Sequence, residues 1–155
     1  MTMTLTSTAF AEGARIPEVH SCDGADISPP LAWSGAPAGT RGFALLCDDP
    51  DAPGGTWTHW AVFDIAADAA GLPEDHPKDA RVGGVRQAVT DFGRPGYGGP
   101  CPPRGHGVHH YHFRVLALDV EKLDLPADAT FADVAEAAEA HALDRAELVG
   151  TYSRD

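Results

Sequence analysis

The sequence predicts a single mostly-β domain, a sandwich or a barrel, with one helix near its C-terminus. Glycine and proline, 17 and 13 in 155 residues, gather at 23–39, 49–55, 71–84 and 93–107. Between these clusters lie short runs of aromatic and branched side chains: "RGFALLCD" (41–48), "THWAVFDI" (58–65), "VRQAVTD" (85–91) and "HHYHFRVLALD" (109–119). Short strands separated by turn residues mark sandwiches and barrels. "LTSTAF" (5–10) alternates weakly, and "AELVGTY" (146–152) adds a last short strand. Only "ATFADVAEAAEAHALD" has a helical period. There Thr130 and Asp133 take the capping-box form, and Phe131, Val134, Ala135, Ala138 and Ala142 fall on one face. Asp133, Glu136 and Glu139 point elsewhere, so this helix lies on a sheet. The length suits one domain, residues 1–155.

The charge balance narrows the partners. Lys and Arg number 11 against 23 Asp and Glu, a net charge of −12. Nucleic acid and anionic membranes carry the same sign and are disfavoured. No segment approaches the ~18 apolar residues of a membrane span. The opening "MTMTLTSTAFAEGAR" lacks the basic start and apolar run of a signal peptide, so a cytosolic protein is expected. Cys22, Cys47 and Cys101 have no CxxC spacing. They are expected to be thiols, at least one of them buried, with a Cys22–Cys101 bridge left open.

Strand alternation sorts the side chains that carry chemistry. In 41–49, Phe43, Leu45, Cys47 and Asp49 share a side. In 57–65, Trp57, His59, Ala61, Phe63 and Ile65 do. Asp49 and His59 therefore stand at the rims of apolar faces, flanking "DDPDAPGGT" (48–56). A second patch, "GRPGYGGPCPPRGHGVHHYHFR" (93–114), lies in a stretch without carboxylates from Phe92 to Leu118. Its Arg94, Arg104 and Arg114, with His106, His109, His110 and His112, form a basic island in an acidic chain. His109, Tyr111, Phe113 and Val115 share a face, with His110 and His112 opposite.

Two such rims meeting across a sheet would form a cleft of imidazoles, a phenol and proline walls. Donors converging in a stiff pocket suit a small anion such as phosphate or carboxylate. An aspartate accepting from one ring nitrogen would favour the charged imidazole and leave the second N–H for the ligand. A metal is the rival occupant, but HExxH is absent and "HHYH" alternates faces. No GxSxG elbow appears, and Cys101 has no assigned base.

"DPDAP" (49–53) with "WTHW" (57–60), and "GPCPPRGHGVHHY" (99–111), resemble the phosphatidylethanolamine-binding protein family, also called the Raf kinase inhibitor protein family, in its bacterial and archaeal branch. "ISPPLAW" (27–33) and "AELVGTY" extend the resemblance along nearly the whole chain. The resemblance implies a β-sandwich of two antiparallel sheets with a short helix near the C-terminus. It implies a pocket for phosphate, acetate or a phosphoethanolamine headgroup, with no cofactor or metal. By that resemblance Asp49, Asp51, Ala52, Pro53, Trp57, His59, Pro103, His109 and Tyr111 are the ligand-binding residues.

Two positions depart from the family pattern: His110 stands where arginine is usual, and His106 where a polar or acidic residue is. The resemblance further implies a cis peptide at Asp49-Pro50 or Ala52-Pro53, a homodimer, and a regulatory role toward a kinase or protease. The alternative is a small enzyme using the same residues for acid–base chemistry on a phosphorylated or acylated metabolite.

Overall fold

Two antiparallel sheets face each other in the computed structural model, which describes residues 2–155. In chain order the strands are β1 (Thr4–Thr6), β2 (Leu31–Ser34), β3 (Gly42–Asp49), β4 (Trp57–Ala66), β5 (Gly71–Leu72), β6 (Arg81–Val82), β7 (Val85–Gln87), β8 (His109–Leu118) and β9 (Ala142–Tyr152). The helix α1 spans Phe131–His141. The larger sheet runs β6-β7-β4-β3-β8-β9, and the smaller runs β1-β2-β5. This is the sandwich that the sequence implies.

The core has two layers. Between the sheets Trp33, Phe43, Leu45, Cys47, Trp60, Val62, Phe113 and Val115 pack together. On the other side of the large sheet, Phe131, Val134 and Ala138 of α1 cover Ala44, Leu46, Phe63 and Leu116. The helix begins with the reciprocal pair expected: Asp133 N donates to Thr130 Oγ1 (3.3 Å), and Thr130 N donates to the Asp133 carboxylate (3.0 Å).

Element ends shift where local bonding intervenes. Ala142, expected on the helix, instead opens β9, which follows α1 without a loop and runs 11 residues. The strand expected over 85–91 stops at Gln87. Beyond it Val89 bonds the backbone of Ala129 and Phe131, tying the chain to the start of α1.

Alternation holds along β3 and β8 but not along β4. Cys47 pairs with Trp60 and Asp48 with Thr58, leaving His59 as the extra residue of a β-bulge. A second irregularity sets Phe43 opposite Ile65 and Leu45 opposite Val62, with Asp64 at φ 60°. Trp60 and Val62 therefore face the small sheet, while Ala61 and Phe63 face the helix. Ile65 returns to the intersheet side. The expectation that Ala61 and Phe63 share a side with Trp57 and Ile65 is corrected, because each bulge inverts the alternation.

Two further expectations are corrected. Among the described residues every peptide bond is trans, those before Pro50 and Pro53 included. The corner is made another way. The Asp49 carboxylate accepts from Asp51 N (2.8 Å), Gly55 N donates to Ala52 O (3.2 Å), and Gly54 and Gly55 take φ of 80° and 120°. Cys22 and Cys101 are not thiols but a disulfide, their Cα atoms 5.4 Å apart. Cys47 alone is free and buried, and burial pushes its thiol well above the ordinary range. Among the described residues no helix is long and apolar enough to cross a membrane.

Burial also marks two histidines. Desolvation holds both His59 and His76 below the usual imidazole value, and His76 Nε2 is buried without a hydrogen-bond partner among the described residues. The unfolded chain takes up these protons near ~6.5, whereas the folded protein resists them. Stability is therefore fully present above that pH and is lost as pH falls toward the depressed folded values. Urea midpoints should fall between pH 7.5 and 5.5, and His76→Leu should flatten that fall.

Candidate functional site

One cavity of about 370 Å³ opens where β3, β4 and β8 end beneath the loops. Its wall is formed by Asp49, Ala52, Pro53, Trp57, His59, Phe92, Cys101, Pro102, Pro103, His109 and Tyr111. Eight of the nine residues singled out in the sequence thus border one space. Asp51 does not. Its carboxylate turns outward and accepts from both Nδ1 and backbone N of His110, each at 2.8 Å. The His110 side chain holds that carboxyl below its ordinary range.

Each ring is fixed by what its strand and loops supply. The bulge in β4 aims His59 at the cavity, where Nδ1 donates to Gly98 O at 2.7 Å. A carbonyl only accepts, so Nδ1 carries the proton. The ring meets Tyr111 and Phe92 edge-on, with centroids 5.1 and 5.3 Å away. Burial in this aromatic setting keeps His59 neutral more strongly than the Gly98 carbonyl and Asp49 favour its charge. Among the described residues Nε2 has no partner and is left with a lone pair. This corrects the expectation that a neighbouring aspartate raises His59: desolvation outweighs the carboxylates.

His109 belongs to a buried relay. Its Nδ1 donates to Asp49 Oδ2 at 2.6 Å, and its Nε2 lies 2.6 Å from Nδ1 of the exposed His106. The second nitrogen, expected to be free for a ligand, is therefore occupied by His106. The other Asp49 oxygen accepts from Asp51 N, so both carboxylate oxygens are satisfied by the protein. Tyr111 is buried, and desolvation followed by the Asp49 charge pushes its phenol far above the ordinary range. The hydroxyl stays a donor, without a partner among the described residues. Trp57, 40% exposed, forms the lip. His112 and His110 lie on the other face of β8, toward Glu147 and Asp51.

A strap, residues 97–101, closes one side. Tyr97 Oη donates to His20 O (2.6 Å), Gly98 N to His59 O (3.1 Å), and Gly99 N to Asp26 Oδ1 (2.7 Å). Cys22 N donates to Pro100 O (3.0 Å), beside the disulfide. The strap brings Cys101 and Pro102 to the wall, and Phe92 arrives from the turn before it. Sequence reasoning did not place these three. The "GPCPP" run was visible as a stiff segment, but nothing in it says against which strand it lies.

A family model described as phosphatidylethanolamine-binding protein matches residues 6–153. The chain belongs to this family. A relative from Aquifex aeolicus, a "UPF0098 protein", is 51% identical over 99% of the chain and 90% of its own length. A Mycobacterium tuberculosis relative named "Putative lipoprotein LppC" is 45% identical over 97% of the chain and 72% of its own length. The crystal structure of YbcL from Escherichia coli, titled a new member of the mammalian PEBP family, superposes with a TM-score of 0.94. It is 36% identical, with all of both chains covered. Family membership supports a binding or regulatory protein in broad terms.

Proposed function

We propose that the protein binds a small anion, a phosphate, a carboxylate or a phospho-headgroup, in the cavity between β4, β8 and the strap. One observation carries the reading. His59 Nε2 and the Tyr111 hydroxyl, from β4 and β8 on either side of β3, border the same apolar-walled space with no partner among the described residues. Two polar atoms that face one apolar-walled cavity and are left open there suit a ligand. Both Asp49 oxygens are engaged by Asp51 N and His109 Nδ1, which tempers but does not remove the charge that the carboxylate sets against an anion. The anion would reach the phenol directly and His59 once that ring takes up a proton. Asp49, Ala52, Pro53, Trp57, Pro103 and His109 would complete the wall, with Asp51 supporting the corner from outside.

Calorimetry with phosphate, acetate and phosphoethanolamine tests this. Wild type should bind at least one of them, and His110→Ala and His112→Ala should bind it unchanged. His106→Ala should bind about two- to tenfold more tightly, since a hydrogen bond worth about 0.5–1.5 kcal/mol no longer competes for His109. No heat from any of the three anions would overturn the reading. The Asp49–His109–His106 chain has the form that acid–base catalysis uses. Turnover of phosphate esters by wild type, lost in His109→Ala, would establish the enzyme instead.

A kinase or protease partner and a homodimer rest on the family resemblance alone. A cytosolic location meets two observations that weigh the other way. The Cys22–Cys101 bond is of a kind that persists in oxidising compartments, and one relative bears a lipoprotein name.

A further inference from the structure

The two sulfurs of the Cys22–Cys101 bond have unlike surroundings. Arg154 Nη1 donates toward Cys101 Sγ at 3.6 Å and toward Pro102 O at 3.4 Å. Cys22 instead precedes Asp23, whose carboxylate accepts from the Tyr152 hydroxyl at 2.7 Å and pairs with Arg154 Nε at 3.2 Å. Both cysteines are exposed, so an attacking thiol can reach them. The strap does not depend on the bond alone, because hydrogen bonds donated by Tyr97, Gly98 and Gly99 and one accepted by the Pro100 carbonyl hold it as well.

We propose that this disulfide is a thiol-exchange site in which a low-mass thiolate attacks Cys22 Sγ and Cys101 leaves as a thiolate beside Arg154. The S–S bond breaks, its electron pair stays on Cys101, and Cys22 forms a mixed disulfide with the incoming sulfur. A second low-mass thiol then attacks that mixed disulfide and frees Cys22. Two thiols are oxidised to one small disulfide as the protein disulfide takes up two electrons. Exchange favours the leaving sulfur whose thiolate is better stabilised, and a guanidinium stabilises a thiolate. A carboxylate next in sequence to Cys22 opposes the reverse polarity. The result is a covalent mark on the 22–26 segment and an anionic sulfur in the cavity wall.

The test uses 2-mercaptoethanol, a neutral thiol that Asp23 does not repel. The folded protein is treated with a limiting amount, quenched with iodoacetamide and mapped by mass spectrometry. Most adduct should sit on Cys22, with Cys101 alkylated. Adduct mainly on Cys101, an even split, or no exchange short of unfolding would overturn the proposal. Arg154→Gln should slow exchange by roughly three- to tenfold and erode the preference, and Arg154→Lys should restore most of it. In the reduced protein, the alkylation of Cys101 against pH should have its midpoint below the ordinary ~8.5 for wild type, and higher for Arg154→Gln. Coincident profiles would remove Arg154 from the mechanism.

Discussion

Acetate binding should strengthen as pH falls through about 6.5, with uptake of one proton per anion bound. Acetate is the informative probe, because its own charge stays fixed across this range. In the free protein His59 is neutral: Nδ1–H is committed to Gly98 O, and burial depresses the ring. An anion at Nε2 needs a donor there, so binding must bring a proton to the ring, and the anion's charge then stabilises it. The sign follows directly. A depressed imidazole is charged only at lower pH, so affinity rises as pH drops. Heats measured in two buffers of different ionisation enthalpy should differ by one proton's worth. His59→Ala should abolish the difference and weaken binding by well over tenfold, since loss of a buried charged donor costs about 2–5 kcal/mol. Affinity that rises with pH, or a His59→Ala protein that keeps the proton uptake, would remove His59 from the site.

The second large effect is on the strap. A Cβ on Gly99 would lie 2.1 Å from His20 O and 2.6 Å from Asp26 Oδ1. Neither neighbour is free to move. His20 O accepts from Tyr97, and the Asp26 oxygen accepts from Gly99 itself. Gly99→Ala should therefore destabilise the fold by about 3 kcal/mol, at the upper end of overpacking costs. Because Gly98 O holds His59, the displaced strap should also weaken anion binding. Gly84→Ala, with open space around it and no positive φ, should stay within about 0.5 kcal/mol of wild type. Urea unfolding of both variants decides the matter. Equal midpoints would mean that the strap is looser than its hydrogen bonds indicate.

Legibility followed regularity. On β3 and β8 the side chains alternate without interruption, so Asp49, His109 and Tyr111 could be assigned to one face by counting. On β4 the same count placed Ala61 and Phe63 on the wrong side, because a bulge adds a residue without a compositional mark. Burial was equally hidden for His59. Thr58 and Trp60 flank it in sequence, but the rings that desolvate it, Phe92 and Tyr111, come from distant segments. His106 was visible as a departure from the family pattern. Its contact with His109 depends on the path of the Gly105–Gly107 turn, both at positive φ. The disulfide joins residues 79 apart, a pairing that sequence could only leave open.

The two irregularities of β4 behave like a pair of compensating frameshifts. The extra residue at His59 inverts the odd–even alternation of β4, and the one beside Asp64 inverts it again. Only the segment from Trp60 to Phe63 is read in the altered frame. Deleting His59 would leave Thr58 and Trp60 consecutive opposite Asp48 and Cys47, so the bulge would vanish with both flanks still on their own surfaces. Loss of this one residue from β4 should therefore cost the site alone rather than the whole domain.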